Sequence, residues 1–185
     1  MADYYFISQL PSLDGISEGT PLPITEERFL ELSEQNLKKK TFAELNRLSL
    51  IPDKNPVKSV SQLVDRWNEE EKNLRLVLGK LRAQRMNKSF NEDATAVNPL
   101  IIQAAKTAVD SESPMEAEKF LNRFRLELLE AMRPLDSFSE DYIFYYLLKL
   151  RLLSRIRQFD TLTGEREYKN IYNSIISKDR TEETQ

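Results

Sequence analysis

The chemistry open to this chain must come from carboxylates, ammonium and guanidinium groups, and hydroxyls, because histidine and cysteine are both absent. Without imidazole the chain lacks the commonest general base and the commonest transition-metal ligand. Without thiols it can form no disulfide, thiolate nucleophile or thiolate site. A serine triad, a zinc site and a carboxylate–histidine di-iron bundle are therefore excluded. The densest cluster of reactive groups is Glu69-Glu70-Glu71, which opens the stretch EEEKNLRLVLGKLRAQRM at residues 69–86. Carboxylates, lysines and tyrosines can do acid–base work. However, no glycine-rich phosphate loop or convergent constellation accompanies them. The sequence thus predicts a protein without catalysis, cofactor, metal or small-molecule substrate.

The spacing around the acidic cluster is helical. Leu63, Trp67, Leu74, Leu78 and Leu81 form an apolar stripe, and between Trp67 and Leu74 it must pass Glu70 or Glu71 at +3 or +4. One of these carboxylates is drawn toward the core, where an unpaired charge costs several kcal/mol. A second stripe, Tyr142, Tyr145, Tyr146, Leu152, Leu153 and Ile156, has Lys149 in the matching gap. The expected arrangement is a helix-packing polar pair of Glu70 or Glu71 with Lys149, with Asn73 beside it. The alternative is that both side chains snorkel to solvent. Gly79 costs about 1 kcal/mol relative to alanine in a helix, which fits either a close approach by another helix or a tolerated defect. Arg75, Arg151, Arg155 and Arg157 form a candidate interaction surface, although cations near helix carboxyl ends also suit the helix dipole.

The elements that must position these residues read as all-α. Of the 185 residues, 40% are hydrophobic and 31% charged, and only four are glycine. Tyr4, Tyr5, Phe6 and Ile7 favour an extended strand, and Pro11, Pro21 and Pro23 exclude helix up to about Thr25. Residues 1–24 are accordingly expected as an extended arm, 25–178 as a helical domain and 179–185 as a disordered tail. Within the helical domain Thr25 caps one helix, and Thr41 with Glu44 reads as a capping box for the next. Ser59 with Gln62 opens the long helix. Asn98-Pro99 and Ser113-Pro114-Met115-Glu116 start two more, and Ser137 or Ser139 starts another. The longest helices are predicted near 60–86, 114–132 and 139–157, with a last one through Tyr168, Ile171, Tyr172 and Ile175. The formal charge of −3 argues against binding to nucleic acid by phosphate neutralisation. The longest apolar run, Tyr142 to Leu148, is far short of the ~20 residues of a membrane span. The opening MADYYFISQLP lacks the cationic segment of a signal peptide, so a cytoplasmic location is expected.

Two stretches carry a resemblance. YYFISQLPSL at Tyr4–Leu13 and PLPIT at Pro21–Thr25 resemble the start of an uncharacterised bacterial family encoded in V-type ATPase operons. Independently, Glu70-x-x-Asn73-Leu74-Arg75, followed by aliphatic residues and Gly79-Lys80, is similar to the acidic-x-x-Asn-Leu helix motif of the V/A-type ATPase C subunit, the equivalent of the eukaryotic d subunit. NLRLVL at 73–78 is weakly echoed by KLRLLS at 149–154. The resemblance implies a non-catalytic subunit or accessory factor built of helical lobes like those of the C subunit. It also implies contact with the central stalk and the membrane rotor ring, and a peripheral place on the inner membrane through the complex. The other readings are a helical adaptor or assembly factor for the motor, and a nucleic-acid-binding helical protein using Arg151, Arg155 and Arg157.

Overall fold

A computed structural model describes residues 2–16, 20–53, 58–90, 97–158, 169 and 171–172. Seven helices and no strand occur among them: α1 (Ala2–Gln9), α2 (Glu26–Asn36), α3 (Lys39–Arg47), α4 (Gln62–Arg85), α5 (Pro99–Asp110), α6 (Pro114–Ala131) and α7 (Glu140–Arg157). The all-α reading holds. The starts of α2, α5, α6 and α7 lie at their sequence signals. The side chains of Thr25, Asn98, Ser113 and Ser139 each accept a first-turn backbone N–H, satisfying donors that have no partner within the helix.

Three local readings are corrected. Residues 4–7 are helical, because Phe6 and Ile7 are both buried and Leu10 packs beside them, whereas Tyr4 and Tyr5 are both exposed. That is the one-sided pattern of a helix, and a strand would have alternated. Only residues 10–16 and 20–24 of the described amino-terminal segment are non-helical. Thr41 does not cap α3 but is buried within it, and the N-cap is Lys38, which makes no side-chain capping bond. Glu44 instead accepts from Ser59 Oγ at 3.0 Å and from the backbone N–H of Val60 at 2.9 Å, tying α3 to the approach to α4. The cap of α4 is Ser61, two residues beyond the expected Ser59. Of the expected last helix, Lys169, Ile171 and Tyr172 are helical, and the remainder lies outside the described residues, as does the 179–185 tail.

Helices α4, α5, α6 and α7 pack in a ring, each against the next and α7 back against α4. This closes a four-helix bundle in which α4 and α6 face each other across a diagonal. Helix α2 packs on α7 and carries α1 and α3 with it. The apolar interior is divided in two. The larger cluster joins Phe6, Phe29, Leu45, Trp67 and Leu129 to most of α7. The smaller one joins Leu74 and Leu78 of α4, Ile101 and small alanines of α5, and Leu121 of α6. Both α4 and α6 run from one cluster to the other, so any residue between their two apolar segments lies at the boundary.

Candidate functional site

That boundary is polar. On α4, Glu71 lies between Trp67 and Leu74, and its side chain is 1% exposed. On α6, Arg125 lies between Leu121 and Leu129, with its side chain 9% exposed. Arg125 reaches across the bundle diagonal and donates from Nε to Glu71 Oε2 at 2.9 Å and from Nη2 to Oε1 at 3.1 Å. This two-point fork is the strong geometry for a guanidinium on a carboxylate. Arg75 Nε donates to Glu71 Oε1 at 2.8 Å, and Arg125 Nη1 donates to Asn122 Oδ1 at 3.2 Å. Asn122 is fully buried and its Nδ2 has no protein partner. The network continues through Glu118, which takes Arg155 Nη2 at 2.6 Å and lies 3.6 Å from Arg125 Nη1.

One acid of the cluster is therefore drawn into the core, as the spacing predicts, and it is Glu71; Glu70 is half-buried. Its partner is Arg125, and the expected pairing with Lys149 is not formed. Sequence spacing could not reveal this, because the partner depends on which helix faces Glu71 across the bundle, and Lys149 is turned to Asp14 and Glu130 instead. Arg125 gives a signal of its own, interrupting the apolar positions Leu121 and Leu129 at i+4. Asn73 is buried beside Leu74.

Lys149 is buried as predicted, but it serves a second network. Its Nζ lies 2.6 Å from Asp14 Oδ1 and 2.6 Å from Glu130 Oε1. Tyr145 donates its hydroxyl to Glu130 Oε2 at 2.7 Å, and Tyr146 donates to the Pro11 carbonyl at 2.8 Å. These bonds hold the 10–16 segment on α7. Burial, reinforced by the bond to Glu130, raises the Tyr145 pKa, and burial raises that of Tyr146. The hydrogen bond from Lys149 lowers the Asp14 pKa against the opposing effect of partial burial.

The four arginines of the expected interaction surface are not gathered in one place. Arg151 donates to Glu26 Oε1 from Nε at 2.9 Å and from Nη2 at 2.6 Å, and bonds the Leu48 carbonyl. Arg157 is half-buried, with Nη2 enclosed and lacking a protein partner. Arg75 and Arg155 do come together, lining one cleft of about 300 Å³ with Arg82, Arg125, Glu118 and Gly79. At Gly79 the close approach is made by a single side chain, not by another helix. The Phe90 ring closes on the glycine, and an added Cβ would lie 2.9 Å from Phe90 Cε2.

Among the described residues no helix is long and apolar enough to cross a membrane, and no three histidine, cysteine, aspartate or glutamate side chains converge to hold a metal. Residues 100–178 match the family described as "Protein of unknown function (DUF2764)". The DUF2764 match spans nearly all of α5, with α6 and α7, and so includes Arg125, Lys149 and Glu118 but not Glu71. No match was found among curated proteins or among solved structures.

Proposed function

We propose that this protein is a non-catalytic subunit or accessory factor of a V-type ATPase, a coupling piece like the C subunit, set between the central stalk and the membrane rotor ring. The observation that carries the reading is the resemblance of Tyr4–Leu13 and Pro21–Thr25 to a family encoded in V-type ATPase operons. Their placement gives it a physical sense. Leu13 and Ile24 are buried while Tyr4 and Tyr5 stay exposed, so the matching stretches supply both an anchor to the bundle and an outward aromatic face. Tyr4 stacks on Phe138 at 4.2 Å between ring centroids, with Leu135 fully exposed in the same inter-helix loop. Exposed aromatic residues beside aliphatic ones suit a protein contact. In the acidic-x-x-Asn-Leu motif, Asn73 and Leu74 are buried, which supports an architectural role for that stretch.

The test is affinity capture of the full chain from native membranes, with mass-spectrometric identification and stoichiometry of its partners. Recovery of stalk or rotor-ring proteins is expected, and their absence from captured material that retains an intact motor would overturn the reading. A fixed stoichiometry in the purified complex marks a permanent component, whereas recovery only during assembly marks an assembly factor. The nucleic-acid reading is weakened by the pairing of Arg151 with Glu26. Neutralised guanidinium groups contribute little to phosphate-backbone attraction.

A further inference from the structure

The arginine-lined cleft carries more positive charge than its own carboxylates neutralise. Arg75, Arg82, Arg125 and Arg155 line it, and the acids that reach these four are Glu71 and Glu118. Four guanidinium groups against two carboxylates leave two positive charges. The donors are also only partly used. The described bonds of Arg75 engage its Nε alone, and those of Arg155 engage one Nη2. Arg155 Nε is enclosed and has no protein partner. Arg82 is exposed, three residues beyond Gly79 on the same helix, and no described side chain pairs with it.

From this excess charge and these spare donors, we infer that the cleft is a binding site for a phosphate-class dianion. Two unneutralised charges match a dianion, and the planar fork of a guanidinium matches the spacing of phosphate oxygens. The site is built in advance of its ligand, because buried Glu71 fixes both Arg75 and Arg125. Preformed donors bind without the ordering cost that flexible surface cations incur. The lining also limits what the anion can be attached to. At about 300 Å³ the cleft is at the small end of ligand sites. Its apolar residues are Leu78 and Leu121, and no aromatic ring lines it to stack on a nucleobase. The occupant is therefore inorganic phosphate or a phosphate group presented at the end of a larger molecule. Glu118 competes with it for Arg155.

The inference stands apart from the ATPase reading, since it rests on the cleft alone. It is tested by titrating the full chain, labelled with ¹⁵N, with inorganic phosphate at pH about 7.5, where the dianion predominates. Ionic strength is held constant with potassium chloride. Saturable shifts of the Arg75 and Arg155 Nε–Hε signals and of the Gly79 amide are expected. Arg82→Gln, a change at an exposed position, should weaken phosphate binding about tenfold or more, the weight of one charge-assisted contact. Glu118→Gln should tighten it by removing the competing carboxylate. Pyrophosphate and phosphoserine as further probes distinguish free phosphate from a phosphate carried on another group. Three results would each overturn the assignment: no saturable shift at these signals, an affinity unchanged by Arg82→Gln, or succinate bound as tightly as phosphate.

Discussion

At the scale of single residues, the boundary between the two apolar clusters rests on one carboxylate. Glu71 is almost fully enclosed, and its charge is balanced by a buried Arg125 and a half-exposed Arg75. Replacing Arg125 by methionine leaves Glu71 with Arg75 alone. A buried charge left wholly uncompensated costs ~3–5 kcal/mol, and because Arg75 keeps its bond to Glu71 the loss should fall below that range. The double replacement Glu71→Leu with Arg125→Met should recover most of that loss, because apolar side chains of similar size can fill a buried ion-pair site without desolvation cost. Urea unfolding of the two single variants and the double variant measures the coupling. Additive effects would show that the fork contributes nothing. By contrast, the exposed pair Arg28–Glu31, with side chains 59% and 61% exposed, should show a coupling below about 1 kcal/mol in the same measurement.

At the scale of the element, α4 is the longest helix and contains a glycine, Gly79, well inside its span. Alanine there would gain about 1 kcal/mol of helix propensity. Its Cβ, however, would meet Phe90 Cε2 at 2.9 Å and Cζ at 3.1 Å. Phe90 lies just beyond the turn in which Asn87 takes a positive φ of 53°, so the chain doubles back and lays the ring on the helix. Gly79→Ala should therefore be close to neutral in the natural sequence and stabilising by about 1 kcal/mol when Phe90 is also alanine. Unfolding midpoints of the four combinations decide this. An equal effect of Gly79→Ala in both backgrounds would mean that the ring is not what the glycine accommodates. The glycine thus serves the return of the chain after α4.

For the whole molecule, the amino-terminal segment is joined to the bundle by a buried lysine. Lys149 bonds Asp14 and Glu130 together, and Gly15, next to Asp14, takes a φ of 70° that favours glycine. The Asp14 pKa is held below its ordinary value of 3.8, chiefly by the Lys149 hydrogen bond. A carboxylate whose pKa is lower in the folded chain binds protons less readily there than when unfolded. Its contribution to stability is therefore present above the unfolded value and is lost as pH falls through the folded value. Acidification from about pH 5 to about pH 2 should loosen the 10–16 segment, and Asp14→Asn should remove that part of the pH dependence. Unfolding of the natural chain and of the variant across this range provides the check. Parallel pH profiles would show that Asp14 is not the titrating clamp. Because Asp14 is half-exposed, its effect will be the smaller for solvent screening.

Local features of this protein are legible along the chain. Caps at Thr25, Asn98, Ser113 and Ser139, first-turn prolines at Pro99 and Pro114, and helical periodicity place five of the seven helices. These depend on hydrogen bonds and spacings within a few residues, so they can be read without the rest of the molecule. That an acid of the 69–71 cluster and Lys149 are buried follows from the same periodicity. Which groups meet is settled only when the helices pack. Tyr4–Ile7 have strand propensity but form a helix, because packing of Phe6 and Ile7 against α2 and the core overrides a preference of less than ~1 kcal/mol per residue. Glu71 pairs with Arg125 across a diagonal and Lys149 with Asp14, 135 residues away. The arginine cleft likewise gathers residues from α4, α6 and α7. Pairing of this kind depends on which helices become neighbours, a property of the closed bundle that no spacing along a single helix contains.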